Sequence, residues 1–491
     1  MLRLNGWVLY KNSMIKKEIS YSSASRVTLL VLVCFFLSGL TSLIYEILWT
    51  RMIVKIIGAA PFAVSIVLTV FMAGLGLGSL LAARTIDRIA QTTKLVKIYG
   101  TLELIIGLYA LAVPLLLTIF EPIYAVIYNR LFSQFMLYNL LTFVGCSVIL
   151  LVPVICMGAT LPVLCRFYVT ELSHLGTCAG RLYGLNTIGA AAGSLLCGFW
   201  LIELLGVWGT LIFAVLVNCL IGLSCILAGR KLERQQKDRV AGTSRESPQE
   251  GAAASDVLAG YPAVVTAALV IFAVSGFCSM AYEVIWTRLL GLIVGPTTYS
   301  FTIVLVTFIL GLALGSMFFG YLADRTGRAV WLLVCTQAGA ALFALGVSQL
   351  LGGSQLFFAK LLFSFKDHFV LLNLAKTVTL FLFMILPTFC LGATFPLVGK
   401  IYTQSMSRLG WSIGFAYTIN TAGAVLGSFC AGFVLIPLLG KEKSLSIVIA
   451  LQLLASLITT GIIMSKQKNP LKWLLPAAPA LAGLVLCFYF P

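Results

Sequence analysis

Long apolar runs separated by short polar stretches dominate the chain. Apolar segments of about 18 residues or more are typical of helices that cross a bilayer, whereas membrane β-strands are about ten residues long and alternate apolar with polar positions. The predicted spans are 27–47, 61–83, 96–119, 139–165, 182–204 and 207–228 in the first half, and 263–284, 299–322, 330–351, 372–398, 413–438 and 444–464 in the second. One more apolar segment, 472–490, follows. The pattern predicts an all-α polytopic membrane protein.

The motifs inside these runs repeat along the chain. SGLTSLIYEILWTRMIVKIIG at 38–58 returns as SGFCSMAYEVIWTRLLGLIVG at 275–295, an offset of 237 residues. Further along, MGATLPVL at 157–164 returns as LGATFPLV at 391–398, an offset of 234 residues. Because each copy holds an even number of spans, both copies enter the membrane from the same side. We therefore predict two parallel six-helix repeats.

The repeats divide the chain into five parts. They are a cytoplasmic N-terminal segment (1–26), a first six-helix repeat (27–229), a cytoplasmic linker (230–260), a second six-helix repeat (261–465) and an extra C-terminal transmembrane helix (466–491). The linker is charged and then rich in Ala, Gly and Ser, a composition typical of flexible connections. Two loops, 121–138 and 352–370, mix aromatic residues with few charges. We predict that they lie along the outer membrane surface as amphipathic segments.

The distribution of charge predicts the orientation. The chain carries a formal net charge of +17, although only 10% of its residues are charged and 60% are hydrophobic. Basic residues cluster before the first span, after the second, between the halves and after the twelfth. These stretches share one side if the N-terminus is cytoplasmic, as the positive-inside rule predicts. The charge therefore indicates membrane orientation, and we expect lipid rather than nucleic acid as a partner.

Metal and cofactor chemistry have no supporting motif. The thirteen cysteines are scattered without a CxxC pair, and the two histidines, His174 and His368, lie far apart on opposite predicted sides. Buried cysteines of this kind are usually small apolar core residues. We therefore expect no metal site, no cofactor and no catalytic residue.

Two acidic residues inside apolar helices are the leading site candidates. Glu46 and Glu283 occupy equivalent positions of the first repeated motif, and an ionised carboxylate in a span is costly unless paired or hydrated. Their repeated neighbours are also candidates for substrate binding or gating: Tyr45, Trp49, Arg51, Tyr282, Trp286 and Arg288. If the two helices face each other, Glu46 could pair with Arg288 and Arg51 with Glu283.

This crossed pairing has two interpretations, and both stay open. The group can form an outer gate or interfacial belt, with aromatic rings and arginines at headgroup depth. It can also bind a cationic solute or a proton through the glutamates, with cation–π contacts from the rings. Lys55 occurs only in the first copy, which argues against a purely cationic site.

A second pair of candidates lies early in the fifth and eleventh spans. Asn186 and Asn420 are buried amides that either bond a ligand or tie two helices together. Tyr183 and Tyr417 lie about one turn earlier and are candidates to line the same cavity. Glycines four apart near these residues, and in the second and eighth spans, predict close helix contacts.

The loop after each second span of a repeat carries a charged pair. GYLADRTGR at 320–328 resembles the loop signature of the major facilitator superfamily, and this resemblance implies a fold of two parallel six-helix bundles. It also implies that Asp87, Arg88, Asp324 and Arg325 latch neighbouring helices in the outward-open state. The first copy, ARTIDRIAQ at 83–91, has alanines where the signature has glycines.

The repeated blocks together are also similar to the membrane portion of bacterial fused spermidine synthase-like proteins. The blocks are SG…YE(I/V)xWTR, GLxLGS, GAT(L/F)P and NTxGAxxGS. In that family a soluble aminopropyltransferase-like domain follows the membrane part. This chain holds no soluble stretch longer than about thirty residues, and a nucleotide-binding domain needs many more. We therefore expect that the chain is not an enzyme.

Two functions remain. The first is a secondary transporter in the bacterial inner membrane that moves a small solute by alternating access between the halves. The family name and the two glutamates favour a cationic solute such as a polyamine. The alternative is a non-transporting membrane module that anchors or regulates a separately encoded aminopropyltransferase-like partner.

Overall fold

The computed structural model describes residues 2–58, 60–89, 91–240, 260–294, 298–353, 355–465 and 474–489. The helices of the first half are α1 (Leu2–Ile57), α2 (Ala60–Ile86), α3 (Thr92–Leu131), α4 (Phe135–Tyr168), α5 (Leu175–Leu196) and α6 (Ile202–Val240). Those of the second half are α7 (Pro262–Val294), α8 (Thr298–Thr326), α9 (Ala329–Gly352), α10 (Gln355–Ser364), α11 (Phe369–Gly392), α12 (Thr394–Tyr402), α13 (Leu409–Phe429) and α14 (Ile436–Met464), followed by α15 (Leu474–Tyr489). The described residues contain no strand, so the predicted all-α class is confirmed.

Ten helical stretches of the described chain are long and apolar enough to cross a membrane. Two of them, Leu172–Gln235 and Met406–Met464, each hold two predicted spans. In both stretches the helix is broken at a glycine with positive φ, Gly206 at 67° and Gly440 at 79°. Glycine is suited to these positions because it adopts positive φ without steric cost. The ten stretches thus correspond to the twelve predicted spans, with ends that differ by a few residues.

The two halves are built alike. In the first half α1 packs on α5, α2 on α4 and α3 on α6, and in the second α7 packs on α13, α8 on α11 and α9 on α14. Glycines allow these close approaches: a Cβ at Gly189 would lie 1.9 Å from the carbonyl oxygen of Phe36, and one at Gly423 would lie 2.0 Å from that of Ala273. The predicted glycine contacts therefore lie within each half. Between the halves, α2 packs on α13 and α5 on α8.

The structure corrects one loop prediction. The segment 121–138 is not a separate surface segment, because α3 continues to Leu131 and α4 begins at Phe135. The hydroxyl groups of Tyr124 and Tyr138 are 2.6 Å apart and join the extended end of α3 to the start of α4. The segment 352–370 does contain a short separate helix, α10.

The ends of the predicted domains are only partly described. Helix α1 begins at Leu2 and so includes most of the predicted N-terminal segment. Helix α6 extends to Val240, and residues 241–259 of the predicted linker lie outside the described residues. The C-terminal helix α15 packs against α14 and α9, with Gly483 next to Leu342 and Leu453.

Candidate functional site

A cavity of about 210 Å³ lies between the two halves. Helices α1, α2, α4 and α5 line it from the first half, and α7, α8 and α13 from the second. Glu46 and Glu283 both face this cavity, one from each half, and each residue is 8% exposed. The structure therefore brings the two leading acidic candidates to one site.

The two carboxyl groups have no protein partner in the described part of the chain. Neither Glu46 nor Glu283 forms an ion pair or accepts a side-chain hydrogen bond there. The crossed pairs with Arg288 and Arg51 predicted from the sequence are not formed, and both arginines are half-buried. An unpaired carboxylate in a membrane interior is costly, so this cavity favours a positively charged occupant or a proton.

The asparagine candidates tie helices together at the cavity wall. Asn186 Nδ2 donates a hydrogen bond of 3.0 Å to the carbonyl oxygen of Phe35, and Asn420 Nδ2 donates one of 2.9 Å to that of Phe272. These bonds join α5 to α1 and α13 to α7. Both asparagines also line the cavity, so the structure gives them the helix-tying role and leaves their side chains next to any occupant.

The tyrosine candidates Tyr183 and Tyr417 line the same cavity from opposite halves. Phe395 of α12 lies between them, with its ring centroid 5.1 Å from that of Tyr183 and 5.8 Å from that of Tyr417. These rings are a contact between the halves, since Tyr183 belongs to the first and Phe395 to the second. The cavity therefore has aromatic faces as well as carboxyl groups.

The remaining aromatic candidates lie inside each half, away from the cavity lining. Tyr45 stacks on Trp49 with ring centroids 5.4 Å apart, and Tyr282 stacks on Trp286 at 5.1 Å. All four side chains are fully buried. A tyrosine next to a glutamate points about 100° away from it on a helix, so the glutamate faces the cavity while the tyrosine enters the bundle core. The structure does not bring these rings together with the carboxyl groups.

A buried acidic residue in α3 was missed by the sequence analysis. Glu103 is fully buried in the first half. Its Oε1 accepts a hydrogen bond of 2.6 Å from Ser38 Oγ, and its Oε2 accepts one of 2.6 Å from Asn218 Nδ2. Asn218 Oδ1 in turn accepts a hydrogen bond of 3.2 Å from the hydroxyl group of Tyr45. The signal in the sequence was a lone glutamate within an apolar span.

The second half contains the matching network with a neutral residue in the place of the acid. Gln337 lies 234 positions after Glu103, and it accepts a hydrogen bond of 3.2 Å from Gln452 Nε2. The hydroxyl group of Tyr282 donates to Gln452 Oε1 at 2.8 Å, and Gln337 Nε2 donates to Thr394 Oγ1 at 2.9 Å. Because a glutamine stands in the second copy, a search for repeated acidic residues passes over Glu103.

Two aspartates join the halves at one end of the bundle, here called the latch face. Asp87 at the end of α2 accepts hydrogen bonds of 2.9 and 2.8 Å from the backbone N–H groups of Gly410 and Trp411, at the start of α13. Asp324 at the end of α8 accepts the equivalent bonds, 3.1 and 2.6 Å long, from Gly176 and Thr177 at the start of α5. A carboxylate at a helix N-terminus satisfies free N–H groups and complements the helix dipole. Each latch therefore connects one half to the other.

The arginines predicted for the latch lie outside it. Arg88 and Arg325 are exposed, and the basic partners are instead Arg166, 3.6 Å from Asp87, and Lys400, 2.5 Å from Asp324. These two residues come from α4 and α12 and occupy equivalent positions of the repeat. Asp324 and Arg325 are consecutive in α8, where neighbouring side chains point about 100° apart, and Arg88 follows Asp87 in the turn after α2.

The halves also touch beyond the cavity, at the end opposite the latch face. Thr69 Oγ1 of α2 lies 3.0 Å from Ser428 Oγ of α13, and a Cβ at Gly198 would lie 2.4 Å from Thr302 Oγ1. A π-helical turn follows both α5 and α13, at Cys197–Leu201 and Cys430–Leu435. Such turns are rare and occur often at functional sites. Contacts between the halves thus flank the cavity on both sides.

Comparison with known proteins shows that the fold of this chain is similar to that of several solved structures. No family model matches the chain, and no curated protein matches it in sequence. Two crystal structures of a bacterial homologue of the iron transporter ferroportin in the outward-facing state, the first with soaked iron, are similar with TM-scores of 0.55 and 0.54 at 11% and 14% identity. Both alignments cover 90% of this chain, and 99% and 100% of theirs.

The proton:xylose symporter XylE of the major facilitator superfamily, bound to 6-bromo-6-deoxy-D-glucose, is similar with a TM-score of 0.50 at 12% identity. That alignment covers 90% of this chain and 96% of the symporter. The chain therefore has the fold of the major facilitator superfamily transporters, and it is a multi-pass membrane protein.

Proposed function

We propose that this chain is a secondary transporter that moves a small cationic solute by alternating access between its two halves. The observation that carries the proposal is the pair Glu46 and Glu283, one carboxyl group from each half, which face one cavity without a protein cation in the described part of the chain. A cationic solute would provide the missing charge. Since each half contributes one carboxyl group, the solute would interact with both as they move.

The lining favours an organic cation. Tyr183 and Tyr417 offer aromatic faces, which attract ammonium groups through cation–π interactions. Met72 and Met157 add polarisable apolar surface. A cavity of about 210 Å³ suits a molecule of a few carbon and nitrogen atoms. A diamine or polyamine, with an ammonium group for each carboxylate, fits this chemistry best.

A metal cargo fits less well. The ferroportin homologue is named for iron, but the described residues hold no group of three or more His, Cys, Asp or Glu side chains that could bind a metal ion. Carboxylate and amide oxygens without imidazole or thiolate suit hard cations rather than transition metals. Metal ions therefore serve as comparison ligands in the test below.

The contacts between the halves support alternating access. The Asp87 and Asp324 bonds close the latch face, and the Thr69–Ser428 contact lies at the other end. If the contacts at one end open while those at the other end stay closed, the cavity is exposed to one side of the membrane at a time. With the N-terminus cytoplasmic, as the basic residues favour, the latch face is the cytoplasmic face and an outward-facing state keeps both aspartate latches closed.

The test is ligand-dependent thermal stabilisation of the purified protein, followed by uptake into liposomes. The ligands are putrescine, spermidine, Mg²⁺ and Fe²⁺. The variants are Glu46→Gln and Glu283→Gln, with Glu442→Gln as a control because Glu442 is exposed and does not line the cavity. A ligand that binds only the folded state raises the unfolding free energy by about 2.7 kcal/mol at a hundredfold excess over its Kd. We expect a polyamine to stabilise the wild type and the control but neither cavity variant.

Absence of stabilisation by any cation, in a sample that unfolds cooperatively, would overturn the proposal. The alternative role as a membrane module for a separate aminopropyltransferase-like partner would then become the leading hypothesis. It finds no support in the neighbours described above, which are named as transporters. Retention of such an enzyme on immobilised wild-type protein would favour it.

A further inference from the structure

We propose that Glu103 is a proton-binding site inside the first half, and that it exchanges its proton with the central cavity through the hydroxyl group of Ser38. Ser38 lines the cavity and donates to Glu103 Oε1 at 2.6 Å. Glu103 itself is fully buried and absent from the cavity lining. Ser38 is thus the link between the carboxyl group and any water in the cavity.

The surroundings of Glu103 contain donors but no cation. Ser38 and Asn218 donate to its two oxygens, which supports the ionised form, yet no lysine, arginine or histidine forms an ion pair with it in the described residues. The titratable groups that face it are Cys34 and Tyr45 of α1, Tyr99 of α3, Cys156 of α4 and Cys225 of α6. All five are ordinarily neutral near pH 7. Since the described residues place no cation beside this carboxylate, a proton is the charge that would neutralise it.

The second half shows that the same fold accepts the neutral form. Gln337 occupies the position equivalent to Glu103, and Gln452 occupies that of Asn218. A glutamine is close in shape to a protonated glutamate, with an amide nitrogen that donates and a carbonyl oxygen that accepts. Gln337 uses both, accepting from Gln452 and donating to Thr394. In the first half a protonated Glu103 would donate to Ser38 Oγ, whose hydroxyl group can also accept, and would keep accepting from Asn218 Nδ2. Both protonation states are therefore compatible with its hydrogen-bond partners.

The proton path is short and balanced. A hydronium ion in the cavity gives a proton to Ser38 Oγ and becomes water, while the hydroxyl proton of Ser38 passes to Glu103 Oε1; the reverse sequence returns the proton to a cavity water. Ser38 is unchanged, the carboxylate becomes a carboxyl group, and the net charge of the first half rises by one. Ser38 lies next to Gly39, where α1 and α5 are in close contact. A Cβ at Gly39 would lie 2.0 Å from the backbone oxygen of Asn186.

The consequence for transport rests on the proposed function, whereas the proton site itself does not. If the chain moves a cation, protonation of Glu103 in one state and release in another would couple that movement to a proton gradient. The absence of an acid at Gln337 confines this site to the first half. The two steps can be tested separately.

The first test is infrared spectroscopy of the purified, reconstituted protein across a pH series centred on neutrality. It needs no solute, so it remains informative if the proposed transport function fails. We expect a carbonyl stretching band of a protonated carboxyl group that appears as the pH falls. The band should persist in the double variant Glu46→Gln/Glu283→Gln and be lost in Glu103→Gln.

Two further variants keep the test decisive if Glu103→Gln does not fold. Ser38→Ala keeps the carboxyl group but removes one hydrogen bond and the relay, so the midpoint of the band's titration should shift. Gln337→Glu should add a second buried carboxyl component. A band that is insensitive to pH, or one that Glu103→Gln and Ser38→Ala both leave unchanged, would overturn the proton site.

The second test uses liposomes loaded with a pH-sensitive dye, once a solute that stabilises the wild type is known. We expect an imposed solute gradient to move protons with the wild type but not with Glu103→Gln, while that variant still binds the solute. Equal proton movement by both would show that Glu103 is not coupled to transport. Failure of the wild type to bind any solute would count against the proposed function and would leave the infrared result to stand alone.

Discussion

Removing the carboxyl group of Asp87 should open the contact between α2 and α13. In the variant Asp87→Ala the N–H groups of Gly410 and Trp411 lose the acceptor that now lies 2.9 and 2.8 Å away. The ion pair with Arg166 is also lost. We expect the start of α13 to separate from α2 more often, because nothing else in the described structure accepts these two N–H groups.

The expected size follows from the bonds that are lost. A hydrogen bond to a charged group contributes about 1.5–3 kcal/mol, and a partly exposed one lies at the lower end. The ion pair is 3.6 Å long with both side chains partly exposed, so it adds little. The sum is about 3 kcal/mol, which corresponds to roughly a hundredfold increase in local opening, since about 1.4 kcal/mol is a factor of ten.

Hydrogen–deuterium exchange measured by mass spectrometry would detect this opening directly, in peptides that contain residues 409–412. The matched control is Arg88→Ala, because Arg88 is the adjacent residue and is exposed. We expect exchange to rise by about two orders of magnitude in Asp87→Ala and to stay at the wild-type rate in the control. Equal exchange in the two variants would refute the assignment of Asp87 as the latch residue.

Three other predictions concern packing and gating. Gly189→Ala should lower the melting temperature, because its Cβ would lie 1.9 Å from a backbone oxygen of α1, whereas Gly461→Ala should not, since nothing lies within 4 Å of its Cβ. An equal effect of the two substitutions would contradict the packing argument. Thr69→Val should remove the contact with Ser428 at a cost of about 1 kcal/mol, and faster exchange of the peptide that contains Ser428 would show it. Asn420→Leu should lose the bond that ties α13 to α7 and destabilise the second half by about 1–3 kcal/mol, as calorimetry would show.

The glycine pairs and the aspartates show how far a repeat can be interpreted. Motifs that recur at a fixed offset predicted close helix contacts at Gly189 and Gly423, and the structure contains them. The resemblance of their loops to the major facilitator superfamily signature implied that Asp87 and Asp324 are latch residues. The identity of their partners could not be predicted, because Arg166 and Lys400 lie on helices that approach the latch only after the bundle has formed.

Apolar length, the internal repeat and the even number of spans were enough to predict an all-α membrane protein with two parallel halves. These properties depend on local composition and on the thickness of a bilayer, which need no knowledge of packing. They also marked Glu46 and Glu283 as costly charges in apolar helices.

Tertiary structure alone decided where each side chain points. Glu46 faces the cavity and Tyr45 faces the core of its half. Neighbouring positions on a helix differ by about 100°, and the packing of α1 against the other helices determines which of the two residues faces the cavity. It also decided that the buried carboxyl group of Glu103 meets Ser38 and Asn218, from helices far away in sequence. The sequence determines which side chains are costly to bury, because cost depends on residue type. The three-dimensional packing determines which neighbouring groups form the hydrogen bonds that offset this cost.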